Sequence, residues 1–131
     1  MRADFLKPAE IDRGMKEAVA GLGGSVDILV NNVGDLIQRV PFDDFETSMW
    51  DNVIALNLSS VYHACAIGAS QHPAEDGRIV NISSLRASTA LASTRSLYAA
   101  AKGGMVALTK RLANEFASAR DSRELRRPRV S

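Results

Sequence analysis

The sequence predicts an α/β domain built on a parallel sheet. Three observations predict it. Apolar residues recur near helical spacing in two segments, and a third segment near the end of the chain also reads as a helix. Two short aliphatic, partly β-branched runs lie between those segments. The resulting order (helix, strand, helix, strand, helix) is that of βαβ units. Two strands alone are a poor stand-alone sheet, because parallel strands need both faces covered and neighbours to pair with.

The first helix opens at Pro8, a residue preorganised for the first helical position. Ile11, Met15, Val19 and Leu22 follow near helical spacing, and the glycines from Gly21 to Gly24 end it. Val26 to Asn32 is the first strand, and its Ile28-Leu29-Val30 run predicts burial on both faces. Phe45 to about Ser70 predicts a long helix. Trp50, Val53, Ile54, Val61 and Ala64 supply its apolar positions, Asn57 interrupts the stripe, and His72-Pro73 stops it. Arg78 to Ser84 is the second buried-type strand. A Ser/Thr/Ala-rich loop runs to about Ser96, and a last helix covers about Leu97 to Ala117.

Composition narrows the function. The chain has 131 residues, of which 46% are hydrophobic and 24% charged, which excludes a disordered or collagen-like chain. The formal charge is +1, but five arginines crowd residues 119–131, leaving residues 1–118 at −2. The body is therefore no basic nucleic-acid binder. Cys65 is the only cysteine, which points to a reducing, cytoplasmic setting. The N-terminal residues lack the apolar core of a secretory signal. No apolar run approaches the roughly 18 residues of a membrane span, so no membrane partner is expected. His63 and His72 have no cysteine or carboxylate constellation around them, so no metal site is expected.

A few residues could carry chemistry. Tyr98 and Lys102 stand four apart on one helix and so share a face. A cation beside a phenol favours its ionised form, and a phenol so placed can exchange protons near neutral pH. The pair is also what chance puts on an amphipathic helix. Ser84 ends the second strand 14 residues before Tyr98, at the edge where open α/β sheets bind ligands. Its hydroxyl could donate to a carbonyl or merely begin a turn. Asn31-Asn32-Val33-Gly34 leaves the first strand at the same edge. Asn57 lies inside an apolar stretch, where it could bond a backbone carbonyl, hold a water, or face solvent.

Together these segments resemble the short-chain dehydrogenase/reductase family. The matching stretches are ADFLKPAE, VDILVNNVG, MWDNVIALNLSSVYHA, GRIVNISS and YAAAKGGMVALTKRLANEFA, in the family's order and spacing over about residues 3–118. The resemblance implies a partial Rossmann-like, doubly wound parallel sheet lacking the first three strands and the C-terminal strands. It implies NAD or NADP as cofactor and hydride transfer between an alcohol and a ketone or aldehyde. By resemblance Tyr98 is the general acid/base, and Lys102 is the cation that eases its ionisation and holds the nicotinamide ribose. Ser84 would orient the substrate carbonyl, and Asn57 would complete a proton relay through water. Asn31 and Gly34 match the family's turn beside the adenosine half of the cofactor, and Asp4 matches an acidic residue that contacts adenine. The family also implies homo-oligomers through the helices at 45–70 and 97–117.

The chain departs from the family pattern. NNVG replaces NNAG, and the interval from Ser84 to Tyr98 is one residue longer than usual. The glycine-rich pyrophosphate turn has no counterpart, which predicts a weak or inactive enzyme when the chain acts alone. Residues 119–131 break the pattern where the family continues with a strand resembling HGIRVNxVAPG. Read one base forward, the possible codons of residues 119–129 permit that strand. The tail is thus either an out-of-frame reading or a charged, solvated end. Two functions remain: a small-molecule alcohol/carbonyl oxidoreductase, or a non-catalytic remnant acting through helix association.

Overall fold

The computed structural model describes residues 2–71, 77–84 and 96–124. Helix α1 (Pro8–Gly21) is followed by strand β1 (Ile28–Asn31) and a 3₁₀ turn (Phe42–Asp44). Helix α2 (Thr47–Ile54) continues through a π-turn (Ala55–Ser59) into α3 (Ser60–Gln71). Strand β2 (Arg78–Asn81) and helix α4 (Ser96–Glu124) complete the order. β1 and β2 pair in parallel, with Ile28 opposite Arg78 and Asn31 opposite Asn81. The architecture is α/β with a parallel sheet of two strands.

Pro8 sits in the first turn of α1, as its fixed φ favours. Gly23 and Gly24 adopt φ of 88° and 93°, the left-handed region open to glycine. The Gly24 N–H returns to the Val19 carbonyl at 2.9 Å, closing the helix end. Leu22 lies beyond that stop and is exposed, so the apolar stripe of α1 is Ile11, Met15 and Val19.

The helices cover one face of the sheet. Val19 of α1, Leu29 of β1 and Ala64 of α3 form one buried cluster, with Met15 and Ile79 against it. Val61 and Cys65 of α3 meet Met105 of α4 in a second. Val53 of α2 packs on Leu97 and Ala101 of α4 in a third. The opposite sheet face is open: Ile28 and Val30 are 64% and 56% exposed, and Val80 and Ile82 are also exposed. This corrects the expectation of strands buried on both faces. The aliphatic runs are those of a two-sided strand, but among the described residues no second layer covers them.

Other boundaries also differ. The long helix starts at Thr47, after a separate 3₁₀ turn, and its Trp50 is exposed rather than in the core. Segment Thr47–Ser70 has the length and mean hydropathy (1.3) of a membrane span by composition alone, contrary to expectation. Here it packs between α1 and α4 as a core element. Helix α4 runs seven residues beyond Ala117, into the segment expected to be a tail. The expected stop at His72-Pro73 and the Ser/Thr/Ala-rich loop fall outside the described residues.

Candidate active site

The carboxyl ends of both parallel strands open onto α4. β1 leaves through Asn32, Val33 and Gly34, and β2 through Ile82, Ser83 and Ser84. Lys102 reaches across from α4. Its ammonium donates to the Ile82 carbonyl at 3.2 Å and the Val33 carbonyl at 3.5 Å, so one side chain spans both exits. Lys102 is only 3% exposed. Its hydrogen-bond acceptors among the described residues are neutral carbonyls, and burial pushes its pKa below the ordinary lysine value. The Tyr98 ring lies one turn earlier on the same helix face, with Lys102 Nζ 5.9 Å from its centroid. That is within cation–π range.

Asn57 is fully buried. Its Nδ2 donates to the Asp35 carbonyl at 2.8 Å and the Val53 carbonyl at 3.0 Å, and its Oδ1 accepts the Asp35 N–H at 3.1 Å. Of the alternatives open in the sequence, the backbone-bonded one holds. Asn57 sits in the π-turn, a wider helical turn that often marks a functional position. Gly34 closes the cluster. A Cβ there would lie 2.8 Å from both Asn57 Oδ1 and Lys102 Nζ, so only glycine lets the β1 exit come this close.

Asn31 turns inward. Its Nδ2 donates to Asn81 Oδ1 at 2.8 Å and contacts Cys65 Sγ at 3.4 Å. The Cys65 thiol is pushed up chiefly by burial, with hydrogen bonds to Asn81 and Asn31 opposing. Asp4 stands apart, just ahead of α1. Its carboxylate accepts the Leu6 N–H at 3.0 Å and pairs with Lys7 at 3.4 Å. The Leu6 N–H above all, then Lys7, holds its pKa below the usual carboxylate value. Ser84 is half-buried at the β2 exit, and the neighbouring Ser83 hydroxyl donates to the Lys102 carbonyl at 3.3 Å.

The fold therefore gathers Gly34, Asn57, Tyr98 and Lys102 into one contiguous group. Two contributors escaped the sequence reading. Asn81 was legible in principle, as a lone amide between Val80 and Ile82. Asp35 takes part through its backbone, which no residue type announces.

The family model for short chain dehydrogenase matches residues 1–120 of the chain. The chain belongs to the short-chain dehydrogenase family. It is thus in a family of NAD(P)-dependent oxidoreductases. It is 43% identical over 117 residues to a D-beta-hydroxybutyrate dehydrogenase of Cupriavidus necator, covering 88% of this chain and 44% of that protein. A D-beta-hydroxybutyrate dehydrogenase of Rhizobium meliloti is 41% identical over 119 residues, with the same coverage. Among solved structures, a short chain dehydrogenase from Burkholderia cenocepacia J2315 in complex with NADP superposes with a TM-score of 0.84 at 30% identity. The match covers 90% of this chain and 47% of that one. A dehydrogenase/reductase from Sinorhizobium meliloti 1021 gives 0.82 at 34% identity, covering 90% and 46%. The short-chain dehydrogenase chain described here thus spans less than half the length of these relatives.

Proposed function

We propose that the chain carries the catalytic part of an oxidoreductase that moves hydride between an alcohol and a ketone or aldehyde. The observation that supports this best is the buried Lys102 ammonium, set against the Tyr98 ring where both strands end. An ammonium has three N–H donors, and two are used on the Ile82 and Val33 carbonyls. The third suits a ribose hydroxyl of NAD or NADP, so the residues present fit the nicotinamide side of the cofactor. When bound, that cofactor supplies or accepts the hydride. Tyr98 gives its phenolic proton to the carbonyl oxygen in reduction and takes it back in oxidation. Ser84 orients that oxygen with its hydroxyl. Because the Asn57 amide is committed to Asp35 and Val53, Asn57 holds its relay water through the main-chain carbonyl. Gly34 and Asn31 shape the turn beside the adenosine half, and Asp4 accepts from adenine.

Among the described residues no glycine-rich turn joins a strand directly to a helix start. We therefore expect weak dinucleotide binding and little or no turnover from these 131 residues alone. The test is carbonyl reduction with NADH and NADPH, by the chain and by any longer product of its gene. Tyr98→Phe should lower the rate at least about 100-fold. Near-parental turnover of that variant overturns the assignment.

A second reading, a non-catalytic remnant that associates through its helices, draws on exposed apolar groups. Tyr62 and Val106 are exposed, and a groove of about 390 Å³ between α3 and α4 is lined by Leu58, Tyr62, Gly104 and Leu108. Homo-oligomers without any cofactor binding would favour it. Cys65, a free buried thiol, suits a cytoplasmic setting. Residues 119–131 we read as out of frame. DNA lacking a VNxVAPG pattern in the shifted frame removes that idea.

A further inference from the structure

Thr109 lies on α4 seven residues, two helical turns, beyond Lys102, on the same face. Its hydroxyl donates to the Met105 carbonyl at 2.7 Å and accepts from Asn81 Nδ2 at 2.9 Å. The Asn81 Oδ1 in turn accepts from Asn31 Nδ2 at 2.8 Å. The donors therefore run one way, from Asn31 to Asn81 to Thr109 to the Met105 carbonyl. Asn31 and Asn81 are register partners at the ends of the two strands. The chain of bonds ties both strand ends to one point on α4.

A second point of attachment lies close by. The residue after Asn81 is Ile82, whose carbonyl accepts from Lys102. The next, Ser83, donates to the Lys102 carbonyl. Three successive residues of the β2 exit are thus gripped by two positions on α4. A helix held at one point can slide or turn, whereas one held at two points cannot do so without breaking a bond. We propose that Thr109, through Asn81, is a positioning residue that fixes where α4 lies along β2 and so holds the Lys102 ammonium between the two strand exits. The roles of Lys102 and Tyr98 rest on the reading above, but the positioning claim concerns geometry and can be tested without turnover.

The surroundings make Thr109 a usable probe. It lines a groove of about 370 Å³ with Asn81, Leu112 and Phe116, so a changed side chain there meets open space on one side. Thr109→Val keeps the shape and loses the hydroxyl. Thr109→Ala also loses it and strengthens helix propensity, so α4 stays helical. Thr109→Ser keeps the hydroxyl.

The experiment follows the four lysines of the 131-residue chain by NMR at their ε-carbons as pH rises. Buried Lys102 should titrate below the ordinary lysine value in the parent chain. In Thr109→Val and Thr109→Ala its midpoint should move up toward the ordinary lysine value, as the ammonium gains water. Thr109→Ser should keep the parental midpoint. A parental Lys102 midpoint in both Val and Ala variants overturns the proposal, whatever happens to the melting temperature. Failure of the catalytic reading would look different: Tyr98→Phe would leave carbonyl reduction intact, with the lysine titrations unaffected.

Discussion

Lys102 combines a cost with a use. An ammonium that is nearly inaccessible to water and faces neutral carbonyls is disfavoured relative to the unfolded chain. Its folded pKa lies below the ordinary 10.5, so between those values the unfolded chain binds more protons. Stability should therefore rise with pH as it passes through the folded value toward 10.5, and the burial cost is fully present below that window. Lys102→Met should abolish this dependence and raise stability at neutral pH, on the order of 1 kcal/mol, while removing any hydride transfer. Denaturant melts from pH 7 to 10 would show it, and equal slopes for parent and variant would refute it. Gly34 is the counterpart constraint. Gly34→Ala forces a methyl against Asn57 Oδ1, which its own bonds hold in place, and against Lys102 Nζ. A loss of about 1–3 kcal/mol is expected in the same melts.

At the level of elements, the π-turn is the least regular feature and the most informative. An amide in the middle of an apolar helix would be expensive if left unpaired. Here the Asn57 amide satisfies the Asp35 backbone and the Val53 carbonyl, joining the loop after β1 to the helix behind it. Asn57→Leu should cost about 1–3 kcal/mol and free the loop at Asp35. Hydrogen exchange at the Asp35 N–H reads this directly, since parental protection in the variant would contradict it. That loop also carries Ile37 at φ 63°, a conformation a β-branched residue rarely adopts. The strands illustrate a different point. Their Ile/Val runs suit burial on two sides, yet α1, α3 and α4 all pack on one.

For the whole molecule, the open sheet face dominates. Ile28, Val30, Val80 and Ile82 present adjacent aliphatic groups to solvent, and among the described residues each strand pairs on one edge only. Exposed apolar faces and unpaired strand edges promote association. The 131-residue chain should therefore sediment as oligomers at micromolar concentration. Val30→Lys with Val80→Lys should shift it toward monomer, because both side chains point away from the core. A parent that sediments as a monomer would count against this.

The sequence by itself determined the element order, the parallel α/β class, the helix stop at Gly23-Gly24 and the residues that carry the family pattern. These are legible because periodicity, glycine conformation and short motifs are local properties of the chain. Even so, Leu22 and Trp50 read as core and are not, since a periodic pattern says which residues share a face but not what covers it. Only the tertiary structure decided that Asn57 is buried, that Asn31 points inward to Asn81, and that Gly34 meets Lys102 across 68 positions of sequence. Contacts between the strand exits and α4 arise from packing, and several run through backbone atoms that every residue type shares. For that reason the contacts that join Gly34, Asn57 and the strand exits to Lys102 exist only once the chain is folded.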